Sequence, residues 1–307
     1  VYMLTRPGDL HRFGIGTAQF GMDYGISNLN GKTSPEEVKH ILELAARMGF
    51  RVIDTAPLYG DSEKVLGATM PEGHQFRIVT KTPQFKSNAV SNKAESLRNT
   101  FRMSLHKLKL TSAYGLLIHD PGDLFAGDGR SLFEAMETLR EEGLVEKIGV
   151  SVYTENEINM ILDNFKIDLI QVPLNVLDQR LLHSGQLARL KRSGIEIHAR
   201  SVFLQGLLLM SPGQLDGHFE WVRDQLVRYN RFLELHNLSR LEGALSFVTG
   251  LKEIDCIILG VSVPRDLLEI GSFLSGYDHV NLDFSQFSCD KKEIINPSLW
   301  IRTECKV

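Results

Sequence analysis

Apolar residues follow two alternating patterns along the chain. Short, mostly apolar runs, typical of strands in a buried parallel sheet, occur at residues 13–18, 50–54, 76–81, 114–119, 147–152, 169–175, 195–201 and 256–262. Between and after them, apolar residues recur every three or four positions, as in amphipathic helices, at residues 34–48, 61–68, 91–110, 131–142, 154–162, 180–192, 221–235, 240–249 and 264–274. Eight strands that alternate with helices predict an α/β fold, a closed (β/α)8 TIM barrel built as a single domain.

Capping residues mark the starts of several of these helices. Ser34, with Glu37 three positions later, predicts a capping box at the first helix, and residues 154–157 repeat this pattern. The segment 61–63 (Asp-Ser-Glu) is predicted to cap the helix that follows the second strand. Tyr59 is then left on the loop between that strand and its helix, where the active sites of βα barrels lie.

A doubly wound sheet is the alternative architecture. Its dinucleotide fingerprint requires three glycines after the first strand, but Gly14 and Gly16 are followed by Gln19 where the third glycine is needed. The barrel is therefore favoured, with residues 1–275 as the catalytic domain. Residues 276–307 have little periodicity and are predicted to form a C-terminal extension that packs on the barrel.

Composition narrows the class of partner. The 307 residues are 43% hydrophobic and 23% charged, with a net charge of -4 at pH 7, which allows a large core and gives no basic surface for nucleic acid. Three cysteines without CxxC spacing argue for a reducing compartment and against a disulfide framework or a zinc site. No secretory leader pattern and no run of about 18 apolar residues is present. The sequence therefore predicts a cytoplasmic protein without a membrane partner.

Three successive strands end in an ionisable residue. Asp54, Lys81 and His119 follow the second, third and fourth apolar runs, and neighbouring barrel strands bring their carboxyl ends side by side. An acid at the end of a buried strand needs a cationic partner, and Lys81 is predicted to supply it. Lys81 is also expected to lower the pKa of Tyr59 from about 10 towards the working pH, which would make the phenol a usable proton donor. His119 can orient a substrate oxygen.

The sequence resembles the aldo-keto reductases in ordered motifs over about residues 13–275. The motifs are Gly16-Thr17-Ala18, Asp54-Thr-Ala-x-x-Tyr59-Gly60, Thr80-Lys81, Leu117-Ile-His119, Gly149-Val-Ser151, Gln171-Val-Pro-x-Asn175, Ala199-Arg-Ser-Val-Phe-Leu-Gln-Gly-Leu-Leu and Leu259-Gly260-Val-Ser262-x-Pro264. The resemblance implies that Asp54, Tyr59, Lys81 and His119 form a catalytic tetrad. These are the four residues that physical reasoning selects independently.

The resemblance also implies a nicotinamide dinucleotide, NADP(H) or NAD(H), bound in extended form across the top of the barrel without a Rossmann fold. Hydride would pass between the nicotinamide and a carbonyl or alcohol substrate, with Tyr59 as general acid or base. The cofactor-binding residues implied in this way are Gly16, Thr17, Ala18, Asp54, Ser151, Gln171, Arg200, Ser201, Leu204, Gly260, Ser262, Arg265 and Glu269. Among them, Ser151 and Gln171 would hold the carboxamide, Ser201 and Leu204 would lie along the pyrophosphate, and Gly260, Ser262 and Glu269 would contact the adenosine end.

Several positions depart from the family pattern. Val152 stands where many relatives have Asn, which removes one carboxamide contact. Arg200 stands where many have an aromatic ring that stacks on the nicotinamide; a guanidinium is planar and can stack, but it adds charge. Asp266 replaces an Arg that commonly grips the 2′-phosphate, a charge that Arg265 could supply, and Ile270 replaces an Asn that meets the adenine. Family habit favours NADP(H).

The substrate class and an alternative function stay open at this stage. Residues 16–25, 199–206 and 295–300 resemble in sequence bacterial aldo-keto reductases associated with surface-polysaccharide biosynthesis. This resemblance motivates the hypothesis of a sugar or nucleotide-sugar substrate. The alternative is a non-catalytic NAD(P)-binding sensor or partner subunit with the same fold. Asp120 and Asp123 are interpreted as turn or capping residues rather than metal ligands, because no second cluster accompanies them. The sequence leaves the oligomeric state open.

Overall fold

Eight parallel strands close into a barrel in the structure, a computed structural model that describes residues 10–85, 92–215, 217–276 and 282–300. The strands are β1 (Phe13–Gly16), β2 (Val52–Asp54), β3 (Arg77–Lys81), β4 (Ala113–Ile118), β5 (Val145–Ser151), β6 (Leu169–Pro173), β7 (Glu196–Arg200) and β8 (Cys256–Gly260). Each strand pairs with the next in the chain, and β8 pairs with β1. The predicted (β/α)8 barrel is therefore confirmed.

Helices alternate with the strands. The longer helices are α1 (Pro35–Met48), α2 (Ser62–Thr69), α3 (Lys93–Leu108), α4 (Gly129–Glu141), α5 (Glu155–Asn164), α6 (Gln186–Arg192), α7 (Arg223–Leu235), α8 (Arg240–Thr249) and α9 (Pro264–Gly276). Shorter α-helical turns span Ala18–Gly21, Arg180–His183 and Lys292–Ile295. Short 3-10 turns span Leu10–Arg12, Pro121–Leu124, Leu204–Leu209, Pro212–Gln214, Gly217–Val222, Ser285–Phe287 and Pro297–Leu299.

One predicted helix is divided in the structure. Residues 180–192 form a four-residue turn followed by α6, and not a single helix. Gly185 lies between them with a φ of 76°, a left-handed conformation that interrupts the helical backbone and that glycine adopts readily. The prediction of one continuous helix was wrong because periodicity alone does not reveal a single left-handed residue.

The predicted capping box at the first helix is confirmed. Ser34 Oγ accepts a hydrogen bond from Glu37 N at 3.3 Å, and Glu37 Oε2 accepts one from Ser34 N at 3.4 Å. Asp61 is the N-cap residue of α2, as predicted, but its side chain makes no hydrogen bond to the helix start. Asp61 Oδ2 instead lies 3.4 Å from Lys32 Nζ at the surface. The buried Ser62 hydroxyl forms hydrogen bonds with the hydroxyl groups of the residues that directly follow β1 and β2.

Two apolar layers stabilise the barrel. In its interior, Val52, Val79, Leu117, Leu169 and Ile258 contribute to one buried cluster drawn from β2, β3, β4, β6 and β8. Outside, the apolar stripes of the helices pack with the outward-facing strand residues in a second, larger cluster. Because alternate strand residues point to opposite faces, each strand contributes to both layers.

Residues 282–300 pack against the helical layer. The ring centroid of Phe284 lies 5.5 Å from that of Phe232 on α7, and Gln179 Nε2 donates a hydrogen bond to Phe284 O at 2.8 Å. Part of the predicted extension, residues 277–281 and 301–307, lies outside the described residues. None of the helices in the described part of the chain is long and apolar enough to cross a membrane.

A polar cluster lies at the amino-terminal end of the barrel. Glu196 Oε2 on β7 accepts hydrogen bonds from Tyr114 Oη on β4 at 2.6 Å and from Lys147 Nζ on β5. Glu196 Oε1 lies 2.7 Å from His198 Nε2. Burial alone would raise the pKa of Glu196, but the hydrogen bonds from His198, Lys147 and Tyr114 outweigh it and lower the pKa from 4.5 to about 2. The ionised carboxylate therefore joins three strands.

We expect Glu196→Gln to lower the free energy of unfolding at pH 7 by about 2–3 kcal/mol, because Lys147 would lose a partly buried counterion. The folded-state pKa of Glu196 is depressed, so its stabilisation is complete above pH 4.5 and is lost as the pH falls towards about 2. The difference in the free energy of unfolding between wild type and Glu196→Gln should become smaller as the pH falls over that range. Urea unfolding at a series of pH values measures it.

Glu146→Gln is the matched control, since Glu146 is exposed on the same strand as Lys147. It should change the free energy of unfolding by no more than about 0.5 kcal/mol. Equal losses in the two variants, or a difference for Glu196→Gln that is unchanged at low pH, would contradict the assigned role of this carboxylate.

Candidate functional site

Polar side chains rise above the apolar layer inside the barrel. Two positions after an inward apolar residue comes a polar one: Asp54 after Val52, Lys81 after Val79, His119 after Leu117 and Gln171 after Leu169. Because side chains two positions apart on a strand point the same way, these groups project into the mouth of the barrel. Together with Tyr59 they line a single cleft of about 1900 Å³.

Asp54 is the hydrogen-bonding centre of this cleft. Its two carboxylate oxygens each accept from Lys81 Nζ at 2.8 Å, and Oδ1 also accepts from Gln171 Nε2 at 2.7 Å. Lys81 Nζ donates further to Thr55 O at 3.1 Å, so the three hydrogens of the ammonium group have acceptors. Asp54 and Lys81 are both buried. The cationic partner that the sequence predicts for Asp54 is therefore present.

A close contact between two loops places Tyr59. Asp61 N donates to Gly21 O at 3.3 Å, which joins the loop after β2 to the helical turn after β1. A Cβ atom on Gly21 would lie 1.7 Å from Tyr59 O, so a side chain cannot be accommodated there. Gly60 has a φ of 54°, in the left-handed region that favours glycine. Two glycines thus allow the Tyr59 loop to dock on the end of β1.

Lys81 and His119 flank the Tyr59 ring. Lys81 Nζ lies 5.0 Å from the ring centroid, and the His119 ring meets Tyr59 edge-on with 6.2 Å between centroids. His119 N donates to Thr82 Oγ1 at 3.1 Å, which anchors the residue just past the end of β4. The structure thus brings Lys81, Asp54 and His119 together around the phenol of Tyr59.

The direction predicted for the pKa of Tyr59 is wrong in this structure. Burial and the Asp54 carboxylate raise the pKa of Tyr59, and Arg200 is the cation that opposes them. Lys81 does not lower it, because its ammonium group is paired with Asp54. Burial also lowers the pKa of Lys81, while Asp54 raises it. Tyr59 is consequently held in its protonated form.

Arg200 reaches across the carboxyl end of β6 from β7. Its Nη2 donates to Val152 O at 3.1 Å, and its Nη1 donates to Ser201 Oγ at 3.2 Å. The guanidinium carbon lies 4.2 Å from the centroid of the Tyr153 ring, in a cation–π contact. These contacts hold the guanidinium in one orientation in the wall of the cleft.

Most of the residues implied in cofactor binding line this cleft. They are Gly16, Thr17, Ala18, Asp54, Ser151, Gln171, Arg200, Ser201, Gly260, Ser262 and Glu269. Leu204 and Arg265 do not belong to the lining. Leu204 is buried, with a φ of 48°. Arg265 is 83% exposed and donates from Nε to Glu269 Oε1 at 2.8 Å.

Asp266 has a structural role at the start of α9. Its Oδ2 accepts hydrogen bonds from Ser262 N at 2.8 Å and from Val263 N at 3.1 Å, so it satisfies backbone donors that the helix itself leaves unpaired. The one basic side chain of this loop segment, Arg265, is exposed and pairs with Glu269 in the absence of a ligand.

The turn interpretation is confirmed for Asp120, whose Oδ1 accepts from Gly122 N at 2.9 Å. Asp123 makes a different contact: its Oδ2 accepts from Phe85 N at 3.2 Å, which joins the loop after β4 to the segment after β3. In the described part of the chain, no group of three or more His, Cys, Asp or Glu residues is arranged to hold a metal ion.

Sequence reasoning missed part of the cleft wall. Tyr153 follows β5, so the strand-end pattern that identifies Asp54 could have found it. The loop at residues 24–30 and Trp300 also line the cleft, but neither lies in a periodic segment. Ile26 N donates to Gln205 O at 2.9 Å, a contact between loops far apart in the sequence that local patterns do not indicate.

Gln171 presents an unsatisfied oxygen at the cleft. Its Nε2 is bound to Asp54, while its buried Oε1 has no hydrogen-bond partner among the residues that the structure describes. Ser151 pairs with Gln171 in the register of β5 and β6 and lines the same cleft. A buried acceptor left without a donor costs free energy, and an amide NH₂ group would satisfy it. These residues therefore fit the carboxamide of a nicotinamide.

Known proteins are similar to this chain in sequence or in fold. Residues 12–275 match the model of the Aldo/keto reductase family. A D-threo-aldose 1-dehydrogenase from a Pseudomonas species is 27% identical over 297 residues, which cover 83% of this chain and 89% of the relative. A glyoxal reductase from Bacillus subtilis is 30% identical over 186 residues, covering 59% of this chain and 62% of the relative. A solved aldo-keto reductase from Bacillus halodurans, in its holo form, has a TM-score of 0.72 at 17% identity, with 90% of each chain covered.

We expect Gly21→Ala to displace the Tyr59 loop, because the added methyl group would lie 1.7 Å from Tyr59 O. Overpacking of this kind lowers the free energy of unfolding by about 1–3 kcal/mol, which urea unfolding measures. Gly213→Ala is the control, since a Cβ there meets no atom within 4 Å. Unchanged stability of Gly21→Ala together with an unmoved Tyr59 in its crystal structure would show that the contact does not position the loop.

Proposed function

As the chain belongs to the Aldo/keto reductase family, we propose that it transfers hydride between NAD(P)H and a carbonyl substrate, or in reverse to an alcohol, with Tyr59 as general acid or base. The observation that carries the proposal is the grouping of Lys81 and His119 around the Tyr59 ring in one cleft. A protonated phenol beside a cation and an imidazole is a suitable proton donor to a carbonyl oxygen.

Each member of the group has a separate role in this proposal. Tyr59 Oη gives its proton to the substrate oxygen during reduction and takes a proton from the alcohol during oxidation. His119 holds that oxygen by a hydrogen bond. Lys81 pairs with Asp54 and so limits the rise in the Tyr59 pKa that this carboxylate causes, while Asp54 fixes the Lys81 ammonium and the Gln171 amide.

A bound nicotinamide dinucleotide supplies or accepts the hydride. Ser151 and Gln171 would hold its carboxamide, since Gln171 Oε1 needs a donor, and residues at the end of β8 would lie near its adenosine. Family resemblance favours NADP(H), with NAD(H) as the alternative. Arg265, the candidate partner of a 2′-phosphate, is paired with Glu269. A fluorescence titration with each reduced dinucleotide therefore tests the preference between NADP(H) and NAD(H). Tighter binding of NADH than of NADPH would overturn the NADP(H) assignment.

The proposed substrate class is a sugar or nucleotide sugar. Its support is the resemblance noted in the sequence and one relative that is named for an aldose, the D-threo-aldose 1-dehydrogenase. Another relative is named for glyoxal, a small dicarbonyl. A panel of sugars, nucleotide sugars and aromatic aldehydes tests the hypothesis, and preference for apolar aromatic aldehydes over every sugar would overturn it.

We expect Tyr59→Phe to lower kcat for aldehyde reduction by about 100- to 10,000-fold, because it removes the proton donor. NADPH or NADH oxidation with a small aldehyde measures the rate. Tyr229→Phe is the matched control: Tyr229 is buried away from the cleft, and its hydroxyl has no hydrogen-bond partner in the described part of the chain. Loss of this hydroxyl should leave kcat within about twofold of wild type.

Equal rates for wild type and Tyr59→Phe would favour the alternative function, a non-catalytic dinucleotide sensor or partner subunit. Dinucleotide binding by both proteins should be measured in the same experiment. Binding without turnover in wild type would support the sensor, whereas turnover lost only in Tyr59→Phe supports the reductase.

The raised pKa of Tyr59 predicts opposite pH dependences for the two directions. Because burial and Asp54 raise the pKa of the phenol above its ordinary value, Tyr59 stays protonated and kcat for reduction should be flat from about pH 6 to about pH 9. Alcohol oxidation needs the deprotonated phenol, so its kcat should rise with pH over the same range. A fall in reduction kcat above about pH 7 would indicate a phenol with a lowered pKa.

A further inference from the structure

The cleft is lined by three side chains with a permanent positive charge, Lys81, Arg200 and Arg240, among the residues that the structure describes. Lys81 is neutralised by Asp54 at 2.8 Å. Arg240, the first residue of α8, donates from Nε to Asn230 Oδ1 at 2.8 Å. Arg200 differs from both, because it is held in the wall of the cleft beside the catalytic group.

In the described part of the chain, all partners of Arg200 are neutral. Its hydrogen bonds go to a backbone oxygen, Val152 O, and to a hydroxyl, Ser201 Oγ, and its face lies on the Tyr153 ring. The groups that raise the pKa of Arg200 against its burial are the phenols of Tyr153, Tyr59 and Tyr24, and none of them is a carboxylate. The guanidinium charge is therefore uncompensated.

A half-buried charge without a counterion is unfavourable, and an anionic ligand would relieve it. A guanidinium carries five N–H donors in a planar fork that matches carboxylate and phosphate oxygens. Two of these nitrogens already have protein acceptors, and the stacking on Tyr153 fixes the plane of the fork. The group is thus ordered before a ligand arrives, which reduces the entropy lost on binding.

We propose that Arg200 determines substrate specificity by binding a carboxylate or phosphate of the substrate, so that the enzyme selects anionic carbonyl compounds over neutral ones. This inference rests on the proposed oxidoreductase function. It assigns Tyr59 and Arg200 to different ends of one substrate: the phenol serves the carbonyl oxygen, and the guanidinium serves the anionic group. Within the sugar hypothesis, it points to acidic or phosphorylated sugars.

Two matched substrate pairs test the selectivity: succinic semialdehyde against its methyl ester, and D-glucuronate against D-glucose. Wild type should prefer the anionic member by about 10- to 100-fold in kcat/KM, the usual effect of a hydrogen bond to a charged group. Arg200→Gln should bring the ratio close to one. Arg200→Lys should restore part of it, because the charge remains but the fork is lost.

Arg240→Gln is the matched control, because it removes another guanidinium that lines the same cleft. It should keep the wild-type ratio of kcat/KM between the anionic and neutral substrates. A ratio that is lost in Arg240→Gln and kept in Arg200→Gln would overturn the assignment to Arg200, as would a wild-type ratio near one.

Binding of succinate, a carboxylate that cannot be reduced, separates this inference from the proposed function. Wild type should bind succinate in calorimetric titration, and Arg200→Gln should bind it at least tenfold more weakly. Succinate binding through Arg200 without aldehyde turnover would refute the oxidoreductase and support the anion site. Turnover without charge preference and without succinate binding would refute the anion site and support the oxidoreductase.

A dinucleotide is the competing partner of Arg200, either through its phosphates or through the nicotinamide ring that the family resemblance places beside this position. The dissociation constants of NADPH for wild type and Arg200→Gln, measured by fluorescence titration, distinguish the two. Weaker NADPH binding with an unchanged substrate ratio would show that the guanidinium serves the cofactor and would overturn the proposal. A changed substrate ratio with NADPH affinity altered less than the ratio supports it.

Discussion

The buried carboxylate of Asp54 is the interaction on which the cleft depends. It lies directly above the apolar interior of the barrel and accepts hydrogen bonds from Lys81 and Gln171, which come from β3 and β6. A charge at this depth is tolerated only when it is paired and its lone pairs are used. The same requirement fixes the positions of the ammonium and amide groups, so that burial of one acid orders much of the floor of the cleft.

This pairing also decides how charge is distributed around the phenol. Because the Lys81 ammonium is paired with the Asp54 carboxylate, its positive charge is offset beside the Tyr59 ring. The pKa of Tyr59 is raised by burial, with Arg200 opposing. A phenol that stays protonated suits the donation of a proton to a carbonyl oxygen, whereas a tyrosinate would have suited its removal from an alcohol. Under the proposed function, this protonation state would favour reduction at neutral pH.

An apolar layer inside the barrel separates two polar networks along the barrel axis. An apolar layer that includes Val79 and Leu169 lies between the polar cluster of Glu196 at the amino-terminal end and the cleft at the carboxyl end. Both ends use buried hydrogen-bonded charges, yet the Glu196 cluster joins three strands and does not line the cleft. The intervening layer keeps the two networks apart, because apolar side chains offer no donors or acceptors through which they could connect.

The sequence by itself determined the barrel and the strand-end positions of Asp54, Lys81 and His119, because the alternation of strand and helix periodicity and the side-chain direction along a strand are local properties. Only the tertiary structure decided which acceptors the Lys81 ammonium takes, and with them the direction of the Tyr59 pKa. It also decided which non-periodic segments form the cleft wall, such as the loop at residues 24–30. These features depend on distances and burial between residues far apart in the chain, which no local pattern encodes.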